Sequence, residues 1–531
     1  MNTTTLASLA ALLDEQGLLA GTHNLTAEAG AMPVTGADCD SRVARAGHVF
    51  VCKGAAFKAA YLTSALERGA VAYLCDEAHA GGLAETAPAA PALVASDLRR
   101  AMALVSAEAW GRPDRDVRVV GITGTKGKST VSYMLRSVLD GDEVGSGTAV
   151  IGSIDTYDGV EHFESHNTTP ESPDLWRHIA NTRDSGLPVL DMEVSSQALK
   201  YDRVVGLDLD VACFLNIGRD HISPVEHPSF EDYFESKLRI FGQARSAVVN
   251  MDCDHADVVA ARAARCPRVL RFSAEGADGA DVWASDVRSD LGRVSFVAHT
   301  PSWEAAITLA MPGLFNVDNA LAAIAVCELL GIDAKRVVAG LARAKTPGRM
   351  ELIGEPGDRV VALVDYAHNK LSYQRFFSSV TKEFPGHRII VVMGAPGGKA
   401  YERRTELPQE AAKWADHLIY TEEDPAHDPV EEICAQMVAA TPAGASHEVI
   451  YDREAAIRRA VELGFEGEGP ALVCLLAKGD ETRQHVGDEF VPCRTDGEVF
   501  LEAARSTRSD PKGATPLGSA SPRSGRSAPG P

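Results

Sequence analysis

Residues 121–130 read GITGTKGKST, a glycine-rich turn that ends in Gly-Lys-Ser. The apolar run Val117, Val119, Val120 precedes it and a helix-like stretch from Val131 to Leu139 follows, the strand, loop and helix order that a phosphate cradle requires. In such a loop Gly121, Gly124 and Gly127 let several backbone N–H groups and the N-terminus of the next helix face one anion. Lys128 can then reach the β and γ phosphates, and Ser129 or Thr130 can offer a hydroxyl to magnesium. The expected ligand is ATP. Five residues, not four, separate Gly121 from Gly127, so the loop departs from the commonest spacing.

Three other residues have types that suit chemistry on a triphosphate. Glu193 closes the apolar run Val189–Val194 and His221 follows the run Val211–Leu215, which puts both near the carboxyl edge of a sheet, where α/β proteins bind ligands. Lys237 sits in YFESKLRIF, where a lysine is ordinarily a solvated residue with a buried stem.

The elements that must hold these residues follow from length and punctuation. A chain of 531 residues suggests about three domains at ~150 residues each. Residues 1–112 alternate short apolar strands (His48–Cys52, Val71–Leu74, Ala92–Val94) with helical stretches. Residues 113–346 carry the phosphate loop. Residues 347–505 repeat the alternation, with strands near Val360–Val364, Arg388–Met393, His417–Tyr420 and Ala471–Leu475 and helices around Leu371–Glu383 and Glu454–Leu463. From 506 to 531 the composition turns to Ser, Pro, Gly and Arg, the signature of a disordered tail.

Composition narrows the partners. The net charge of −22 is spread along the chain, which argues against nucleic acid or an anionic membrane surface. The ten cysteines are scattered singly, with no metal-ligand spacing, as in a reduced core. No apolar run approaches the ~20 residues that span a bilayer, and no basic segment followed by an apolar core opens the chain. A cytoplasmic monomer with no membrane insertion is expected.

Further segments, in order, are DSR (Asp40–Arg42), NTTPES (Asn167–Ser172), MEVSSQAL (Met192–Leu199), NIGRDH (Asn216–His221), PGLFNVDNALAA (Pro312–Ala323), PGRME (Pro347–Glu351) and VDYAH (Val364–His368). With the phosphate loop and YFESKLRIF they make the chain resemble the Mur ligases, ATP-dependent amide-forming enzymes of peptidoglycan precursor synthesis. Within that family the likeness is to members that add the third amino acid of the stem peptide. The resemblance covers residues 35–500. It implies an α/β fold of three domains, with a central P-loop ATPase-like domain and a C-terminal Rossmann-like domain. The implied substrates are UDP-N-acetylmuramoyl-L-alanyl-D-glutamate (a UDP-MurNAc-dipeptide), a free amino acid, ATP and Mg2+.

An amide forms from a carboxylate only with a better leaving group than hydroxide, and the γ-phosphate of ATP supplies one as an acyl phosphate. By resemblance, Lys128, Glu193, His221 and Lys237 are the catalytic set. Ser129, Glu193, His221 and Lys237 hold magnesium, Lys237 as a carbamate. Gly124, Thr125, Gly127, Lys128, Ser129, Thr130, Asn316, Asn319, Arg349, Asp365 and His368 bind ATP. Ser41, Arg42, Thr168, Thr169, Ser195 and Ser196 meet the UDP-substrate, although a structural salt bridge also accounts for Arg42. Gln197 stands where many relatives have His.

Choice of amino acid turns on TEEDPAHDP, residues 421–429. Diaminopimelate-adding relatives carry Asp-Asn-Pro-Arg here, and this chain has Glu423, Asp424, Pro425 and Ala426. Without the arginine, two acids favour a bare ammonium over a distal carboxylate, so L-lysine is expected, with ornithine or meso-diaminopimelate as alternatives. Arg403, Arg404, Lys478 and Glu481 complete the amino-acid-binding set. His427, Arg403 and Arg404 could also meet a carboxylate from another side. Relatives read Gly-Lys-Gly-His-Glu where this chain has Ala477 to Glu481, with Ala477 for the first Gly and Asp480 for the His. That departure leaves open a paralogue acting on another peptide. A non-catalytic nucleotide-binding scaffold is the remaining alternative, against which stands the joint presence of Lys128, Glu193, His221 and Lys237.

Overall fold

Neighbouring residues of the strand Arg118–Thr123 point to opposite faces, and both faces are covered. Val120 and Ile122 pack with Val131, Met134 and Leu135 of the helix Lys128–Asp140, whereas Val119 shares the other face with Leu190, Met192 and Trp176. A parallel strand buried on both sides reads as a continuous apolar run, not as an alternation.

The computed structural model describes residues 3–509, leaving out 55, 221, 224, 225, 291 and 356. These divide between Pro347 and Gly348 into two compact units. The first holds two of the expected blocks, each with its own sheet. Five strands lie in the order Leu19–His23, Ala92–Ala95, Ala72–Asp76, His48–Val51 and Gly36–Asp38, the first of them antiparallel. In the larger sheet the parallel strands run Arg268–Ser273, Ala244–Asn250, Leu209–Phe214, Arg118–Thr123, Val189–Glu193 and Ala149–Ile151. Register sets Glu193 opposite Ile122 and Phe214 opposite Thr123, so three strands deliver their carboxyl ends to one edge.

An antiparallel extension, Val282–Asp290, Arg293–His299 and Glu304–Leu309, continues this sheet. Its inward residues Val294, Phe296, Ala298, Ile307 and Leu309 cover the helix Asn316–Leu330, whose Ala-rich sequence is buried almost all round. That cover lets an apolar helix start beside the phosphate loop.

The second unit is a sheet in the order Glu351–Ile353, Val360–Asp365, Ala471–Leu476, Arg388–Met393, His417–Tyr420 and His447–Val449. All neighbours are parallel except the first pair. The final helix Asp496–Ser509 continues past 505, where the tail was expected to begin, and the rest of that tail lies outside the described residues. Among the described residues no helix is long and apolar enough to cross a membrane, and all ten cysteines are free.

Candidate active site

The phosphate loop occupies the carboxyl edge of the first unit's main sheet. Gly127 has φ +91°, and a Cβ there would stand 2.5 Å from the Asn319 Oδ1, so only glycine admits this approach. Asn319 donates to Asn316 Oδ1 at 2.8 Å, and Asn316 donates to the Pro312 carbonyl at 2.6 Å, which fixes both asparagines against the loop. The Lys126 N–H donates to Asn216 Oδ1 (2.9 Å) and Asn216 Nδ2 returns a bond to the Lys126 carbonyl (3.0 Å), pinning the loop to the strand beside it.

Two lysines converge on one carbonyl. Lys128 Nζ donates to the Gly124 oxygen at 3.0 Å and Lys237 Nζ donates to the same oxygen at 2.9 Å. Lys237 is wholly buried, and burial, reinforced by the Lys128 charge, pushes its amine well below the ordinary lysine value. The Tyr233 ring lies 4.8 Å from Lys237 Nζ, and its hydroxyl meets Thr125 Oγ1 at 3.0 Å. The solvated lysine with a buried stem that the sequence alone suggested is therefore replaced by a desolvated amine against the loop.

Glu193, also buried, accepts at Oε1 from the Ser153 N–H (2.9 Å) and hydroxyl (3.2 Å). Ser153 Oγ lies 3.0 Å from Ser129 Oγ, so a chain of oxygens runs from the loop helix to the strand end. Ser153 was missed in the sequence. It follows Ala149–Ile151, the neighbouring parallel strand, and its place at that carboxyl edge was the available signal. Two residues before Glu193, Asp191 is buried beside Ser132, and burial pushes it up to about 7. His221 lies outside the described residues.

The hydroxyls expected to meet the UDP-substrate are largely committed to the protein. Thr169 Oγ1 donates to the Glu193 carbonyl (2.8 Å) and accepts from the Ser195 N–H (3.0 Å). Ser195 Oγ caps its helix through Ala198 N (3.1 Å), and Ser196 Oγ meets His227 Nε2 (3.0 Å). Thr168 and Ser41 are half-buried. Arg42 is exposed and paired with Asp40 at 2.6 Å, the salt bridge that the sequence left as its alternative. Two cations not singled out in the sequence converge on NTTPES: Lys53 Nζ lies 3.0 Å and Arg203 Nη2 2.9 Å from the Glu171 carboxylate. Asp158, Glu161 and His178 also gather within 4.8 Å of one another. Asp158 accepts from the Val160 and Glu161 N–H groups, His178 and Asn181, and Glu161 pairs with Arg177, so protein donors already serve these oxygens.

In the second unit Asp365 accepts from Met350 N and Ala367 N, each at 2.8 Å, and so shapes the 348–350 turn. Gly348, at φ +61°, leaves no room for a Cβ, which would lie 2.2 Å from Asp480 N. Arg349 stacks 4.3 Å from the Tyr366 ring centroid and 3.8 Å from the Asp480 carboxylate, and His368 Nδ1 meets the Tyr366 carbonyl at 2.6 Å. Asp480 is raised by burial against the opposing charge of Arg349.

The amino-acid set divides. Asp424 Oδ1 accepts from Lys478 Nζ (2.9 Å) and His485 N (3.1 Å), and Lys478 also reaches Glu481 Oε2 (2.6 Å) and the Arg483 carbonyl (2.8 Å). Burial acts to lower the Lys478 amine, but Glu481 and Asp424 more than offset it and raise its pKa. Arg404 is buried, paired with Asp428 and bonded to the Pro396 carbonyl (3.1 Å) and Gln436 (3.0 Å), which commits it to neighbouring segments of the same unit. His427 pairs with Asp488 at 2.9 Å on the exposed surface. Glu423 differs: its Oε2 is buried with no hydrogen-bond partner, and burial, with the Asp424 charge, pushes its carboxyl up to about 7. Half-buried Arg403 is the first of the nearby cations to oppose that rise. Of the two acids expected to face an ammonium, Asp424 is engaged at Oδ1 by Lys478 and His485, whereas Glu423 keeps a buried oxygen without a hydrogen-bond partner.

Residues 122–327 match the Mur ligase middle domain and residues 348–479 the Mur ligase, glutamate ligase domain. A UDP-N-acetylmuramyl-tripeptide synthetase of Bifidobacterium longum is 37% identical over 86% of this chain and 91% of its own. The UDP-N-acetylmuramoyl-L-alanyl-D-glutamate--L-lysine ligase of Enterococcus faecalis is 32% identical over 89% of this chain and 92% of its own. Among solved structures, a UDP-N-acetylmuramoyl-L-alanyl-D-glutamate--2,6-diaminopimelate ligase shares the fold with a TM-score of 0.66 at 24% identity, over 96% of this chain and 100% of that one. The phosphate loop, the α/β sheets and these matches together mean that the chain belongs to the Mur ligase family.

Proposed function

We propose that this chain joins L-lysine to the D-glutamate γ-carboxylate of UDP-N-acetylmuramoyl-L-alanyl-D-glutamate at the expense of ATP, in cytoplasmic peptidoglycan precursor synthesis. The observation that carries the reading is the pair of lysine amines on the Gly124 carbonyl, beside Glu193 and the Ser129–Ser153 hydroxyls. The Lys128 cation at a phosphate loop draws a triphosphate in and neutralises the charge that builds as the γ-phosphoryl group passes to a carboxylate, while Lys237 holds its low-basicity amine beside it.

Magnesium suits the oxygen donors present: Ser129, Ser153 and Glu193 offer hard ligands within hydrogen-bond reach of one another. When bound, it would neutralise phosphate charge. The low basicity of Lys237 suits the family's carbamate, because only the unprotonated amine can add carbon dioxide, releasing one proton as the N–C bond forms. Lys128 would hold the β and γ phosphates, and Asn316 and Asn319 would line the nucleotide side.

The preference for lysine rests on Glu423, whose unpartnered oxygen suits a side-chain ammonium, and on Ala426, which offers no cation for a distal carboxylate. Lys478 with Asp424 and Glu481 would frame the amino acid's own charged groups. The test offers purified protein, ATP, magnesium and the UDP-dipeptide with L-lysine, L-ornithine and meso-diaminopimelate in separate reactions, and weighs the product. A lysine adduct supports the reading. A diaminopimelate adduct keeps the ligase and removes the role given to Glu423, and no adduct with any of the three refutes the ligase.

A further inference from the structure

His227 is fully buried and uses both ring nitrogens to join two helices. Nδ1 lies 2.6 Å from Asp232 Oδ2 and Nε2 lies 3.0 Å from Ser196 Oγ. A carboxylate only accepts, so Nδ1 carries the proton, and in the neutral ring Nε2 accepts from the Ser196 hydroxyl. Lys200 Nζ donates to the same Asp232 oxygen (2.7 Å) and to the Glu226 carbonyl (2.9 Å), while Gln197 Nε2 donates to Glu226 Oε1 (3.0 Å). The Lys200 bond holds the Asp232 carboxyl below its usual range.

The two ends of this relay matter for what they carry. Ser196 opens the helix Ser196–Lys200, whose cap Ser195 is tied through Thr169 to the backbone of Glu193. Asp232 stands in the first turn of the helix Phe230–Leu238, which further along presents Tyr233 to Thr125 and Lys237 to Gly124. A shift of that helix start moves Lys237 with it, because a helix transmits displacement along its axis.

We propose that His227 is a positioning residue, which through Ser196 and Asp232 fixes the substrate-side helix against the helix that carries Lys237. It acts through these partners and touches neither nucleotide nor acceptor. The kinetic part of the test rests on the ligase reading above, and the exchange part does not.

In full-length H227F and D232N, amide hydrogen exchange is expected to quicken about 10-fold or more in residues 196–200 and 230–238 together, with residues 128–140 unchanged. In the ligase assay kcat is expected to fall about 10- to 100-fold while the KM for ATP stays within about threefold, as misplacement of a reacting group predicts. Adding S196A to H227F should cost no more than H227F alone, since the three groups act as one unit. Faster exchange in only one of the two helices, a wild-type kcat, or full additivity with S196A would overturn the proposal. Should H227F not fold, D232N carries the same reading, because the Asp232 side chain is 34% exposed and its amide is isosteric. A wild-type protein that makes no product would count against the ligase, while the exchange result still decides whether His227 couples the helices.

Discussion

Replacement of Glu423 by glutamine separates two consequences of one buried carboxyl. The group sits at about 7 against an ordinary value of 4.5, with one oxygen lacking a partner. Each pKa unit is worth ~1.4 kcal/mol, so the shift corresponds to about 3 kcal/mol of stability. Its sign is unfavourable to the charged form: between about 4.5 and 7 the native state binds more protons than the unfolded chain, so stability falls as pH rises through that window and stays lower above it. E423Q keeps the volume and removes the titration. Urea unfolding of full-length variant and wild type at pH 5, 6, 7 and 8 should give a difference of about 1 kcal/mol at pH 5, growing to about 3 kcal/mol in favour of E423Q at pH 8. Other carboxyls raised by burial, Asp191 and Asp480 among them, are present in both proteins and cancel. The cost should appear in catalysis: the lysine KM of E423Q rises about 10-fold or more, as expected when one partner of a buried ion pair is lost. In the wild type that KM falls between pH 6 and 8 as the carboxylate ionises. A pH-independent stability difference, or an unchanged lysine KM, would refute the reasoning.

K128A should lower phosphate release at saturating substrate by about 100- to 1,000-fold with the fold intact, the scale of losing one transition-state charge donor; near-normal turnover would remove its assignment to the phosphates. K237A is expected to lose activity and regain part of it with added short carboxylates, and a fully active variant would reject the carbamate. Ala477 holds φ +86°, a backbone angle that favours glycine. Relief of that strain, worth ~1–2 kcal/mol, less ~0.4–1 kcal/mol of added unfolded-state entropy, should make A477G more stable by roughly 0.5–1 kcal/mol in urea, and a lower midpoint would contradict this.

Local patterns carried much of the site. The phosphate loop was readable because turn, lysine and helix start are contiguous, and Arg388–Met393 and His417–Tyr420 run with the bounds their apolar runs predict. Partnerships across the chain were not. Asp424 and Glu423 look alike in sequence, and only the arrival of Lys478 from a distant strand end engages one and leaves the other. Arg404 reads as a free cation at a helix start until Asp428 and Gln436 are seen to take it. Strands such as Val282–Asp290 were missed because half their residues face solvent and weaken the apolar signal, and the hairpin Arg483–Val486 with Glu489–Pro492 is mostly exposed. Ala477 was visible as a departure from glycine, but the backbone angle that gives it a cost was not.

The most direct test of the central claim labels both γ-carboxylate oxygens of the UDP-dipeptide with oxygen-18 and follows them through one turnover with ATP and lysine. Transfer of the γ-phosphoryl group to a carboxylate oxygen, with ADP leaving, followed by amine attack predicts one labelled oxygen in the released phosphate for every lysine adduct, with the other kept in the new amide. Adduct formed with no label in phosphate would contradict activation of the carboxylate as an acyl phosphate.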